Sequence, residues 1–168
     1  TSTNRAQGGI AAVLDKTDNY KKHIKDTLEA GSQHNNKKAV EFMVKHGPEA
    51  IARLVTIGVP FATDETGTLS LTQEGGHTKR RIAFVGDYTG QEIEKALVKK
   101  VSENKNITVW EHTFAVDILT KNNRCYGIEG IQEGKIIHVF APNTVLATGG
   151  IGQIYKYTTN PEISTGDG

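Results

Sequence analysis

The chain has 168 residues, a formal net charge of +1 and 36% hydrophobic residues, as expected for one globular unit. Acidic and basic residues are nearly balanced, and the densest basic run, Lys79–Arg81, is too short to follow a nucleic-acid backbone, so we expect no nucleic-acid partner. No apolar run reaches the roughly 20 residues that cross a bilayer. The single cysteine, Cys125, precludes an intrachain disulfide and fits a reducing cytoplasm.

The first half of the chain has helical apolar spacing. Asp18 is the predicted N-cap of a first helix that ends at Gly31 and buries Tyr20, Ile24 and Leu28. A histidine on this helix, like the other histidines outside the glycine-rich motifs, is expected at the surface and without a catalytic role. Those residues are His23, His34, His46, His112 and His138.

Two further helices are expected before Gly58. One runs from Lys37 to His46, and the other starts at Gly47-Pro48, because proline fits the first turn of a helix. Their inward-facing residues are predicted to be Val40, Met43, Val44, Ile51, Leu54 and Val55. Residues 59–88 contain several glycines and few periodic apolar positions, so they predict a long ordered loop with short strands, the kind of loop that usually has a function.

The second half changes to strand-like spacing. Thr89 and Glu92 have the spacing of a capping box at the start of one more amphipathic helix. The strands predicted after it are Ile107–Trp110, Ala115–Leu119, Cys125–Gln132, Ile136–Ala141 and Thr144–Ala147, with turns at Asn122-Asn123 and Glu133-Gly134. The sequence therefore predicts an α/β fold in which helices are followed by a small antiparallel β-meander.

Four glycine-containing motifs stand out, and each places glycines beside polar side chains. Glycine lets a backbone come close to a ligand. The motifs are Ala6-Gln7-Gly8-Gly9-Ile10, the run EGGHTKRR at 74–81, Ala147-Thr148-Gly149-Gly150 and Thr165-Gly166-Asp167-Gly168. In this order and at these separations they resemble the flavoprotein family of succinate dehydrogenase, fumarate reductase and L-aspartate oxidase. The EGGH variant is most similar to the L-aspartate oxidase branch.

The resemblance implies a partial FAD-binding, Rossmann-like domain of the fumarate reductase type. Residues 1–168 are then a single domain and an interior piece of a longer flavoprotein. The N-terminal GxGxxG unit, the capping domain and the C-terminal helical domain are expected outside them. Gly150-Ile151-Gly152 does not supply that unit, because a third glycine is missing.

FAD is the cofactor that the resemblance implies. The residues expected to contact it are Ser2, Thr3, Asn4, Ala6, Gln7, Gly8, Gly9, Phe114, Ala115, Thr148, Gly149, Gly150 and Asp167. From the residues alone, each stretch also has a purely structural interpretation. Residues 2–9 read as a flexible entry to the first helix, Phe114 and Ala115 as a packed strand, residues 148–150 as a strand-end turn, and Asp167 as a helix cap. Relatives that attach FAD covalently carry a histidine where this chain has Ser2, so we expect noncovalent FAD.

The same resemblance gives Glu74, His77 and Arg81 as substrate-binding residues. Glu74 would pair with a substrate ammonium, and Arg81 with a carboxylate, whereas outside this motif Glu74 reads as an ordinary surface acid. The family's catalytic arginine falls outside these residues, so no catalytic residue and no metal ligand is expected here.

The function implied is oxidation of L-aspartate to iminoaspartate, with electrons passing through FAD to oxygen or fumarate. This is the first step of NAD synthesis through quinolinate, with quinolinate synthase as a candidate partner and the cytoplasm as the location. The isolated piece is expected to be inactive. Two alternatives stay open: a fumarate reductase or succinate dehydrogenase flavoprotein, and a non-catalytic flavin-fold module.

Overall fold

A computed structural model describes all residues from Thr1 to Gly168. The chain forms three helices, six strands and two short 3-10 turns. In chain order they are a 3-10 turn Thr3–Arg5, β1 Ile10–Ala11, α1 Tyr20–Ala30, α2 Lys37–Ile57, β2 Leu71–Thr72, β3 Ile82–Ala83, α3 Thr89–Glu103, β4 Thr113–Lys121, β5 Arg124–Gln132, β6 Lys135–Phe140 and a 3-10 turn Gly152–Ile154.

Two separate antiparallel sheets organise the chain. The first has the strand order β1-β3-β2, and the second is the meander β4-β5-β6. The hydrophobic core lies beside the first sheet, where α2, α3 and the loop after α2 meet β1 and β3. Its buried residues are Ala12, Ile51, Val59, Phe61, Ala83 and Ile93.

The predicted meander is confirmed, and its two turns explain why it could be predicted. Asn122 and Asn123 have φ values of 52° and 60°, and Glu133 and Gly134 have 50° and 75°. Two consecutive left-handed residues match the twist of a tight hairpin, and asparagine and glycine tolerate that conformation best. The long loop between α2 and α3 is also confirmed, with β2 and β3 as its short strands.

The predicted break between a second and a third helix is wrong, because α2 continues through Pro48 to Ile57. Proline removes one backbone N–H from the helix interior and normally interrupts it. Here tertiary packing compensates, since Val44 and Ile51 on either side of Pro48 are almost completely buried. Met43 and Val55, which were expected inside, are exposed.

The predicted start of α1 is shifted by one residue. The Asn19 side chain accepts the Lys22 N–H and caps the helix, so Asp18 is not the cap. The buried face is also different from the apolar face predicted from spacing. His23 and Asp26 are buried, whereas Tyr20 is 42% exposed.

Three further predictions in the second half fail. Helix α3 begins at Thr89, and its N-cap, Tyr88, makes no side-chain hydrogen bond, so the capping box does not form. The segments Ile107–Trp110 and Thr144–Ala147 form no strand. A strand needs a hydrogen-bonded neighbour, and no other strand of this chain pairs with either segment.

Candidate functional site

The N-terminal segment, residues 2–9, is held by the first turn of α3. The Gly90 N–H donates to the Ala6 carbonyl at 2.9 Å. The Thr89 hydroxyl donates to the Gly8 carbonyl at 2.7 Å and accepts the Val85 N–H at 2.9 Å. A Cβ atom at position 90 would collide with the Thr3 carbonyl oxygen, so this contact requires glycine.

The same segment presents unpaired backbone donors to solvent. A Cβ atom on Gly9 would collide with the Ala83 carbonyl and the Ile82 side chain, so glycine is required where the segment joins β1. The N–H groups of Gln7, Gly8 and Gly9 donate to no protein acceptor, and all three residues are exposed. Such a row of free donors can bind a ligand that carries ring nitrogens, carbonyl oxygens or an anionic group.

Glu74 lies directly over this segment. Its Oε1 is only 2.7 Å from the position that a Cβ atom on Gly8 would occupy. Both residues border an open cleft of about 570 Å³. The full lining is Gln7, Gly8, Thr72, Glu74, Phe84, Gly86 and Asp87. The cleft thus contains two carboxylates and no basic side chain, which favours a cationic group over an anionic one.

A second group of predicted residues lines two adjoining clefts on the other side of residues 2–9. One cleft of about 460 Å³ is bordered by Phe114, Ala115, Thr148 and Asp167. The other, of about 480 Å³, is bordered by Ser2, Thr3, Thr148 and Gly149. Because Thr148 borders both, the structure brings together cofactor candidates from the two ends and the middle of the chain.

The Ser2 hydroxyl ties the two ends of the chain to each other. Its Oγ is 3.1 Å from Asn160 Oδ1 and 3.2 Å from Ser164 Oγ. Four cofactor candidates border none of the three clefts described. Those residues are Asn4, Ala6, Gly9 and Gly150.

The shape and donors of this surface suit a long, partly anionic cofactor such as FAD. Gly149 has a φ of 83°, and a Cβ atom on either Gly149 or Gly150 would meet no atom within 4 Å, so the turn has open space beside it. The N–H groups of these two glycines have no protein acceptor either. The free donors of residues 7–9 and 149–150 are therefore available to a ligand.

Arg81 is located differently from the substrate-binding position expected for it. The side chain is completely buried. Its Nε and Nη2 donate to both carboxylate oxygens of Asp18 at 2.7 and 2.9 Å, and its Nη1 donates to Asp26 Oδ2 at 2.6 Å. These donors are therefore occupied by two carboxylates of the same chain.

We call Asp18, Asp26 and Arg81 the ionic cluster. Burial alone would raise the pKa of Asp18 and of Asp26, but hydrogen bonds and the positive charge of Arg81 lower both below the ordinary value of 3.8. Among the hydrogen bonds that lower the pKa of Asp26, those from the N–H and the hydroxyl of Thr78, at 2.9 and 2.8 Å, have the largest effect, followed by the one from Arg81. Asp26 therefore joins α1 to the EGGH loop.

His77 and His23 lie next to this cluster. The His77 Nδ1 is 3.4 Å from Arg81 Nη1, and the two histidine rings are 5.8 Å apart. His23 is 4% exposed and its Nδ1 has no hydrogen-bond partner. Burial, followed by the charge of Arg81, lowers the pKa of His23 below 6.5. The expectation that His23 is a surface residue is therefore wrong.

Sequence reasoning missed Asp18 and Asp26 as members of the ionic cluster and His23 as its buried neighbour. The sequence gives only a weak indication of this arrangement. His23 and Asp26 are polar residues three positions apart on α1, and Arg80 and Arg81 are adjacent in the chain. The spacing of Tyr20, Ile24 and Leu28 predicts an apolar buried face, which leaves His23 on the opposite, solvent-exposed face.

The whole chain, residues 1–168, matches the family described as FAD binding domain. The chain belongs to this family of FAD-binding domains, and FAD is its cofactor. Its curated relatives include L-aspartate oxidases. The chloroplastic L-aspartate oxidase 2-b of Nicotiana tabacum is 43% identical over 174 residues, covering 100% of this chain and 27% of the relative. The L-aspartate oxidase of Streptomyces coelicolor is 45% identical over 175 residues, covering 99% and 30%.

Solved structures give the same fold. A variant of the quinol fumarate reductase chain FrdA from E. coli superimposes with a TM-score of 0.92 at 29% identity, covering 98% of this chain and 28% of that chain. The apo Sdh1 complex of Mycobacterium smegmatis gives 0.90 at 33% identity, covering 99% and 31%. The expected flavoprotein family and fold are thus confirmed, and the chain spans about 27% to 32% of its relatives' length.

None of the helices of the chain combines the length and the apolar character that crossing a membrane requires. No cluster of three or more histidine, cysteine or acidic side chains is arranged to hold a metal ion.

Proposed function

We propose that these 168 residues are the interior part of a longer flavoprotein that oxidises L-aspartate to iminoaspartate. One observation carries this proposal: the Glu74 carboxylate lies against Gly8, in the middle of the row of free N–H groups in residues 7–9. An acid in that place can bind the ammonium group that distinguishes aspartate from succinate. The names of the relatives add support, since several are L-aspartate oxidases.

When bound, FAD would supply the acceptor for a hydride from the substrate Cα–H. Residues 7–9 would orient its ring with their backbone N–H groups. Phe114, Ala115, Thr148 and Asp167 would border its more distant part, and Ser2, which has no imidazole, leaves it noncovalently held. Glu74 would orient the substrate through its ammonium group, so that binding geometry supplies part of the rate.

The substrate carboxylates need positive groups from elsewhere. The cleft at Glu74 has no basic side chain in its lining, and the donors of Arg81 are occupied by Asp18 and Asp26. His77 does not border this cleft, but its N–H donates to the Glu74 carbonyl at 3.3 Å, and it remains a candidate ligand. We therefore place the carboxylate-binding groups and the catalytic arginine outside residues 1–168, together with the N-terminal glycine fingerprint, the capping domain and the C-terminal helical domain.

The proposed oxidation of L-aspartate also implies an electron acceptor, a pathway, a location and a partner. The electron acceptor would be oxygen or fumarate, the pathway would be NAD synthesis through quinolinate, the location would be the cytoplasm, and quinolinate synthase would be a candidate partner. The isolated 168-residue chain would neither hold FAD tightly nor turn over aspartate, because it contains only part of the cofactor site.

Glu74→Gln in the longer protein tests the proposal. The change keeps the shape of the side chain and removes its charge, so KM for L-aspartate should rise by about ten- to a hundredfold, as expected for a lost charge-assisted hydrogen bond. Inhibition by succinate, which has no ammonium group, should stay within about twofold of the parent. Equal losses for both ligands would show that Glu74 does not recognise the ammonium group.

A second candidate function is that of a fumarate reductase or succinate dehydrogenase flavoprotein. The structural matches to two such proteins, with TM-scores of 0.92 and 0.90, favour it. Succinate oxidation by the longer protein, without aspartate oxidation, would support this candidate against the first.

A further inference from the structure

The loop that carries Glu74 and His77 connects β2 to β3. The His77 N–H donates to the Glu74 carbonyl at 3.3 Å, and the Gln73 side chain donates to the His77 carbonyl at 2.6 Å, so residues 73–77 form a closed turn. A Cβ atom on Gly75 would meet nothing within 4 Å, and one on Gly76 would be in ordinary contact with the Ala30 Cβ at 3.8 Å. The turn is therefore loosely packed at these two glycines.

Thr78, the next residue, makes the link to the rest of the fold. Its N–H and its hydroxyl both donate to Asp26 Oδ2. That same oxygen accepts the Nη1 of Arg81, and Arg81 is fixed by its two hydrogen bonds to Asp18. A single buried oxygen thus accepts three hydrogen bonds, two from the loop and one from the arginine.

From this arrangement we infer that Asp26 is a positioning residue for substrate recognition. It does not touch the cleft, but it ties the turn that carries Glu74 to helix α1. Charge-assisted hydrogen bonds in a buried site are strong and directional, so they can keep the carboxylate of Glu74 against Gly8. This role rests on the proposed function of Glu74.

Asp18 provides a matched control within the same cluster. Both aspartates are buried and both pair with Arg81, but only Asp26 is bonded to the loop. In the longer protein, Asp26→Ala should raise KM for L-aspartate by about tenfold with kcat changed less than about twofold. Asp18→Ala should lower thermal stability comparably and leave KM within about twofold.

A milder pair keeps the test valid if both alanine variants fail to fold. Thr78→Val removes only the hydroxyl donor and leaves the ion pairs intact, so KM should rise by about two- to tenfold. Thr78→Ser restores the donor and should restore KM. A structural role alone would not give this recovery together with an unchanged kcat.

A double-mutant cycle with Glu74→Gln separates the positioning role of Asp26 from the ammonium-binding role of Glu74. If Asp26 and Thr78 act through Glu74, adding Asp26→Ala or Thr78→Val to Glu74→Gln should change KM no further. Additive effects, or equal KM effects of Asp26→Ala and Asp18→Ala, would overturn the positioning role while leaving Glu74 as the ammonium ligand. Unchanged aspartate kinetics in Glu74→Gln alone would overturn the proposed function, and the role of Asp26 with it.

Discussion

Residues 1–103 and residues 104–168 are built in opposite ways. All nine buried hydrophobic residues lie in the first region, as do five of the six buried polar ones, the exception being Ser164. The second region has a long ladder of backbone hydrogen bonds in β4, β5 and β6 but no core of its own. Most of the large exposed hydrophobic side chains, from Ile107 to Ile163, belong to it.

The difference shows what each region needs in order to be stable. The first region has internal packing and the buried ionic cluster, so its structure is specified by its own residues. The second region has backbone pairing within its meander and a large exposed apolar surface, which is unfavourable for a domain alone. We interpret these exposed side chains as the surface that the remaining two thirds of the longer flavoprotein would cover, consistent with the share of the relatives that this chain spans.

The largest effect is expected in the first region, at Arg81. Arg81→Met removes the charge between Asp18 and Asp26 and leaves two buried carboxylates unpaired, which should cost about 3 to 5 kcal/mol of unfolding free energy. Urea denaturation followed by circular dichroism measures it. The control is Arg80→Met, because Arg80 is exposed. Similar midpoints for the two variants would contradict a stabilising role of the cluster.

Acid should weaken the first region before the second. The pKa of His23 is lowered from 6.5, so the folded state resists its protonation, and stability should begin to fall as the pH drops below 6.5. The pKa values of Asp18 and Asp26 are lowered from 3.8, so their contribution is complete above that pH and is lost below it.

Urea midpoints at a series of pH values check this prediction. His23→Leu, which cannot titrate, should lose the decline that begins at 6.5 but keep the decline below 3.8. A pH profile identical to that of the parent chain would show that His23 does not contribute.

A smaller effect is expected at the join between the N-terminal segment and the first sheet. Gly9→Ala forces a Cβ atom against the backbone of Ala83, and such overpacking costs about 1 to 3 kcal/mol. Gly75→Ala is the matched control, because a Cβ atom there meets nothing within 4 Å. Thermal unfolding of the two variants should differ accordingly, and equal melting temperatures would argue against the close approach.

The smallest effect is expected in the second region. Val145 is 87% exposed, so Val145→Ser should change the unfolding free energy of the 168-residue chain by less than about 0.5 kcal/mol. The same change in the longer protein should reduce stability or FAD retention, since the side chain would be covered there. Denaturation of both forms tests this, and a large loss in the short chain would mean that Val145 is already packed.

The two regions also differ in how far their sequence predicted their structure. The meander was predictable because Asn122-Asn123 and Glu133-Gly134 mark its turns by local backbone preference. The long helix through Pro48 was not, because packing of Val44 and Ile51 outweighs the local effect of proline. The segment at 144–147 has strand-like composition but no partner strand in this chain.

For the candidate site, the glycine motifs indicated which backbone stretches would come together. The structure places the motifs at 147–150 and 165–168 around adjoining clefts, and those at 6–10 and 74–81 around another cleft. The role of Arg81 was not predictable in the same way. An arginine after EGGHTKR is equally compatible with a substrate ligand and a buried ion pair, and only the fold brings Asp18 and Asp26 to it. Long-range pairing of charges leaves no periodic trace in a sequence.

If Glu74 is an ammonium-recognising acid in a flavin site, the visible spectrum of the longer protein should respond differently to L-aspartate and to succinate. Flavin absorbance is recorded before and after anaerobic addition of L-aspartate, with succinate added to a parallel sample. We expect L-aspartate to bleach the flavin bands and succinate to leave them unchanged. Bleaching by succinate alone would contradict the claim and move the protein to the dehydrogenase branch of the family.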